Sequence, residues 1–136
     1  RTADILLTSD PNFKIKVGGV KIMRVILRKQ DIPSPPIVLE ITLTTGLIET
    51  DELPQLLETV ANKLPAGGEE GVIISGRLPV WAFSALIHYF HPRPWVATFD
   101  PRLGGGVVVA THTRNVSIGK IIPVTPDLPK VTIEFP

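Results

Sequence analysis

The strongest constraint on the fold of this chain is an alternation between residues 37 and 112, where short apolar runs are separated by segments with helical spacing. Ile37 to Leu43 (IVLEITL) alternates well enough for a strand, with Glu40 and Thr42 on one side. Leu53, Leu56, Leu57, Val60 and Leu64 then recur at spacings of three and four, which is one buried stripe of a helix. Thr50 or Asp51 is placed to cap that helix, Pro54 fits its first turn, and Pro65, Gly67 and Gly68 stop it. Gly71 to Ser75 (GVIIS) is continuously apolar, as a strand buried on both faces should be. A second helix is expected from Pro79 to about His91, ended by Pro92 and Pro94. Trp95 to Phe99, Gly106 to His112 and Lys130 to Phe135 read as further strands. The order predicts a small α/β layered domain with a central sheet and two main helices. Right-handed crossovers would put the carboxyl ends of neighbouring strands on one edge, where ligands gather.

Residues 1–36 have a different character. Phe13 to Val17 and Val20 to Arg28 alternate around Gly18-Gly19, a two-residue loop suited to the positive φ angles of a tight hairpin turn. The prolines of QDIPSPP then form a stiff connector. The expected division is therefore an N-terminal β-hairpin extension over 1–36 and an α/β domain over 37–136. The glutamates of the first helix and the loop after it, Glu49 to Glu70, read as a solvated surface before they read as a metal site.

Composition removes several function classes. Without cysteine there is no disulfide, no thiolate metal site and no cysteine nucleophile, so any metal must rest on His, Asp or Glu. A net charge of +1 is too balanced to attract long nucleic acid by bulk electrostatics, while a small anion held by a few arginines fits. No apolar run approaches the roughly 20 residues of a membrane span, and a cytoplasmic location is expected. The chain opens on Arg1, which leaves room for it to be one domain of a longer protein.

The functional groups concentrate in 71–112, which holds all three histidines. Ser75-Gly76-Arg77 falls between a strand end and a helix start, where backbone N–H groups and a guanidinium would receive a phosphate. The other reading of this triplet is a simple turn with a surface ion pair. His88 and His91 lie three residues apart near a helix end, suited either to acid–base or metal chemistry or to capping free carbonyls. His112 closes an apolar strand and should stand at a sheet edge. In Asp100-Pro101-Arg102-Leu103-Gly104-Gly105-Gly106 an acid and a base either pair within a tight hairpin or form a binding loop. Together these groups suit phosphodiester cleavage: histidine moves protons, arginine stabilises phosphorane charge, and Asp with His orients groups or holds a divalent ion.

On GVIISGR-x-PVW at 71–81, H-x-x-H at 88–91, VATFDPRLG at 96–104 and VVVATH ending at His112, the sequence resembles the manganese-dependent CRISPR-associated ring nucleases of type III systems, the third such family described. The resemblance implies a ferredoxin-related domain that forms homodimers, with tetramers or filaments when dimers sandwich cyclic tetra-adenylate. It implies metal-dependent cleavage of that ring, which switches off antiviral signalling. His91 matches the catalytic histidine and Asp100 its partner acid, the two arriving from different dimers. Ser75, Gly76, Arg77 and Arg102 match ligand-contacting positions. His112, with Asp100, matches the manganese site, and His88 has a histidine counterpart on the ligand side. The chain departs from the family in its N-terminal hairpin, in an extra glycine between Asp100 and His112, and in Pro92 directly after His91.

The leading expectation is a cyclic oligoadenylate phosphodiesterase using Mn2+. The alternatives are a non-catalytic sensor of the same messenger that regulates a fused or associated nucleotide-hydrolysing domain, and an exonuclease acting on linear RNA tails.

Overall fold

The computed structural model describes residues 34–136, which form a compact unit, and the expected N-terminal hairpin lies outside the described residues. Six strands make one sheet: β1 (Ile37–Leu43), β2 (Val72–Gly76), β3 (Trp95–Asp100), β4 (Gly105–Thr111), β5 (Ile121–Pro123) and β6 (Lys130–Phe135), in the order β5-β4-β3-β2-β1-β6. β6, β1, β2 and β3 run parallel, and β4 and β5 return antiparallel. Helix α1 (Leu53–Lys63) connects β1 to β2, and α2 (Val80–Tyr89) connects β2 to β3. This is the small mixed α/β domain that the alternating pattern predicts.

Both helices belong to one apolar layer. Leu56 and Val60 of α1 and Ala82 and Leu86 of α2 cluster with Leu39, Ile41, Val72, Ile74, Val96, Ile133 and Phe135 of the sheet. The register explains the selection, because Leu39 stands beside Ile74 and Val131, and Ile41 beside Gly76 and Ile133. Their neighbours in sequence face the other way. Val38, Ile73, Ala97 and Val108 are buried on that second face, which is why β2 and β3 read as continuous apolar runs.

Local chemistry sets the ends. A short 3-10 turn at Thr50–Glu52 precedes α1, and the Glu49 N–H donates to the Glu52 carboxylate at 2.7 Å, so neither Thr50 nor Asp51 is the cap. α2 stops at Tyr89 instead of reaching His91: the Phe90 N–H still bonds the Leu86 carbonyl at 3.0 Å, but Pro92 and Pro94 cannot donate to a further turn. The sequence pattern misses β5, three residues recruited only because β4 offers its open edge.

Candidate functional site

Because β1, β2 and β3 are parallel, their carboxyl ends share one edge, and a cleft of about 670 Å³ opens there. Ser75, Gly76, Arg77, Glu40, Thr42, Phe99 and Pro101 line it, a size typical of small-ligand sites. Gly76 is required at its floor. Its φ is +150° and a Cβ would stand 2.5 Å from the Ile41 carbonyl oxygen, so any side chain would be strained and would clash with the backbone of β1. Arg77 is exposed and makes no ion pair among the described residues, so the surface-pair reading of Ser75-Gly76-Arg77 does not hold there.

The Asp100-Arg102 loop borders the same edge. Asp100 Oδ1 accepts from the Arg102 N–H at 2.9 Å, and Oδ2 accepts from Arg102 Nη2 at 3.1 Å. The hydrogen bond from the Arg102 side chain, helped by its backbone N–H and charge, holds the Asp100 carboxyl below the ordinary carboxylate range. The same bond raises Arg102. This is the tight-hairpin pairing of the two residues, yet Arg102 is 84% exposed and, among the described residues, its side chain is bound through Asp100 alone, so its guanidinium can turn to an incoming anion. Gly104, at φ +66°, closes the loop by donating to the Asp100 carbonyl at 3.0 Å.

The histidines stand elsewhere. β4 runs antiparallel to β3, so its carboxyl end returns to the start of β3, where the His112 N–H bonds the Pro94 carbonyl at 2.8 Å. The crossover through α2 delivers His91 to the same place. The His91 and His112 rings meet edge to face at 4.7 Å, and His112 Nε2 lies 2.8 Å from the His91 carbonyl oxygen. A carbonyl only accepts, so Nε2 carries a proton and donates it to this bond. His88 sits in the last turn of α2, its carbonyl accepting from the His91 N–H at 3.2 Å.

One chain therefore brings together two groups of residues and keeps them apart. Ser75, Gly76, Arg77, Asp100 and Arg102 occupy the carboxyl edge. His88, His91 and His112 occupy the amino edge, roughly 17–20 Å away across the six residues of β3. The expectation that His112 stands where ligands gather meets a different geometry, since an antiparallel strand ends on the opposite side. No group of three or more His, Asp or Glu able to hold a metal exists among the described residues. A manganese ion on His112 and Asp100 would thus need donors from two chains, with His112 ligating through Nδ1. No helix among the described residues is long and apolar enough to cross a membrane.

Sequence reading alone misses Arg93. It is 2% exposed, donates to the Pro65 carbonyl at 2.7 Å through Nη2 and to Glu70 Oε1 at 3.2 Å through Nη1, and lies over the Phe90 ring. It ties the loop after α1 to the loop after α2. The one signal in the sequence is an arginine placed between two prolines that end a helix.

Comparison with known proteins agrees with this part of the chain. A stretch of 51 residues, 38% of the chain, is 47% identical to an uncharacterized protein of Aquifex aeolicus (strain VF5), covering 46% of that relative's length. Residues 41–123, which contain the whole cleft lining except Glu40, the Asp100 loop and all three histidines, match the family described as CRISPR-associated protein (Cas_csx3). That match takes in more than half of the chain, and the protein belongs to this CRISPR-associated family.

Proposed function

We propose that the protein is a ring nuclease that binds and linearises a cyclic oligoadenylate, cyclic tetra-adenylate being the candidate ring, and so ends CRISPR antiviral signalling. The observation that carries this reading is the sorting of functional groups: anion receptors on one sheet edge, a paired histidine centre on the other. A closed ring of phosphodiesters seated on the arginine edge of one subunit presents its far side to the histidine edge of another. Heterologous stacking of subunits completes such a site without any change of fold.

The residues have distinct tasks in this reading. Arg77, the Ser75-Gly76 backbone and Arg102 hold phosphates and stabilise the charge of the phosphorane. Attack of a ribose 2′-oxygen on the adjacent phosphorus forms one P–O bond and breaks the bond to the 5′-oxygen. The 2′-hydroxyl proton leaves to a base and the 5′-oxygen receives one. His91 is suited to this proton transfer, and Asp100 of the partner subunit orients or assists it. Arg102 engaging phosphate releases Asp100 from its intrachain pair. A divalent ion, Mn2+ in this reading, would supply charge neutralisation at the phosphate when bound.

The test is incubation with cyclic tetra-adenylate and manganese, with separation of linear di-adenylate products. Intact ring under conditions where oligomers form refutes the enzymatic reading. Tight binding with no turnover, unchanged in His91→Ala, supports a sensor of the same messenger instead.

A further inference from the structure

Arg77 explains how the cleft receives a phosphate; it does not explain the row of residues behind it. On the sheet face opposite the helices, Glu40 of β1 stands beside Ser75 of β2. Phe99 of β3 continues the row, two residues past Ala97, the register partner of Ile73. Gly106 of β4 faces Phe99 and adds no side chain there. Glu40, Ser75 and Phe99 all line the cleft. A carboxylate beside a phosphate seat would repel the ligand, so it needs a donor to justify it.

Lys130 Nζ meets Glu40 Oε1 at 3.3 Å. Among the described residues no group donates to Oε2, and the Glu40 side chain is 43% exposed. The cleft therefore offers an aromatic face, a hydroxyl and a free carboxylate oxygen in one row. Arg77 follows two residues after Ser75, in the bend just past β2, and lines the same cleft. One cleft thus holds both a seat for a nucleotide's phosphate and a row of groups for its base. Aromatic side chains stack bases of any kind, while on a base's edge a carboxylate accepts from an amino or imino N–H.

We propose that Glu40 is a specificity-determining residue: it accepts a hydrogen bond from the exocyclic amino group of an adenine stacked on Phe99, with Ser75 donating to the adjacent ring nitrogen. This assignment rests on the reading of the cleft as a nucleotide site and names the feature of the base that it selects. Lys130 keeps Oε1 and fixes the carboxylate, so the ligand meets a preset acceptor.

The test is a double-mutant cycle in the full chain. Binding of cyclic tetra-adenylate and of the same ring built from purine riboside, which lacks the amino group, is measured for wild type and Glu40→Ala. The wild type should prefer the adenine ring about tenfold, and Glu40→Ala should lose that preference. An equal change on both rings, or a preference that survives in Glu40→Ala, overturns the proposal. A second arm follows the backbone amides of Glu40, Ser75 and Phe99 by NMR during titration with adenosine monophosphate and purine riboside monophosphate. Selective shifts with the adenine nucleotide, abolished in Glu40→Ala, uphold the base contact even if the ring is never cleaved, and equal shifts refute it.

Discussion

His112 donates its Nε2 proton to the main-chain carbonyl of His91 at 2.8 Å, while the two imidazoles stand edge to face. The bond reaches the backbone of His91 and does not use its side chain. His91→Ala should therefore keep this anchor, and since the residue is exposed, its unfolding free energy should stay within about 0.5 kcal/mol of wild type. Ring cleavage should fall by roughly 10²–10⁴-fold. His112→Ala should also reduce cleavage, but through a displaced His91 whose imidazole signals broaden in NMR. A sharp, unshifted His91 resonance in His112→Ala would show that the anchor does not position it.

The separation of His91 and Asp100 across the length of β3 makes a subunit-mixing experiment decisive. His91→Ala and Asp100→Ala should each be inactive alone. Mixed in equal amounts they should regain activity, because about a quarter of randomly formed heterologous interfaces join an intact His91 to an intact Asp100. Activity that never returns on mixing, with assembly confirmed, would place both groups of one site in the same chain.

Asp100 and Arg102 supply a pH signature. The folded carboxyl titrates below its ordinary range because Arg102 donates to it. The sign follows directly: the pair stabilises the loop above the unfolded-state pKa of Asp100 and loses that effect as pH falls through the lower folded value. Arg102→Ala should move the Asp100 carboxyl resonance midpoint upward in a pH titration followed by carbon NMR. Because Arg102 is 84% exposed, global stability at neutral pH should barely change. An unchanged midpoint would mean that the pair does not form in solution.

Arg93 should behave as a structural residue. Removing it leaves the Pro65 carbonyl, an acceptor from both Nε and Nη2, without its donor and opens space against Phe90 and Gly68. Arg93→Ala should lower the unfolding free energy by about 2–3 kcal/mol, read from a urea midpoint. Arg93→Lys should recover little of this, since an ammonium cannot reach Pro65 and Glu70 at once. A midpoint equal to wild type would refute the role.

Gly76→Ala tests the floor of the cleft. At φ +150° and with the Ile41 carbonyl oxygen 2.5 Å from any Cβ, the substitution should cost about 1–3 kcal/mol and weaken nucleotide binding. Gly46→Ala, also at a left-handed φ but with open space around it, should show the smaller effect. Equal costs at the two positions would mean that strain alone matters and that close approach does not.

Some elements were legible residue by residue. β1 and β6 appear with the bounds their alternation indicates, Ile37–Leu43 and Lys130–Phe135, because period-two patterning is a local property of a half-buried strand. The end of α2 was less legible, since prolines forbid later turns without showing where the last one closes. β5 was not legible at all: Ile121–Pro123 is too short to carry a pattern and exists only by pairing with β4.

For the candidate site, the sequence alone determined the inventory: an acid and two arginines in glycine-bearing turns, three histidines and no cysteine, within one family match. Those identities follow from residue type and spacing, which no fold can alter. Only the tertiary structure decided that Arg77 and Asp100 share one edge of the sheet while His91 and His112 meet on the other. Strand direction is a property of pairing, and the reversal between β3 and β4 is what sends the two groups apart.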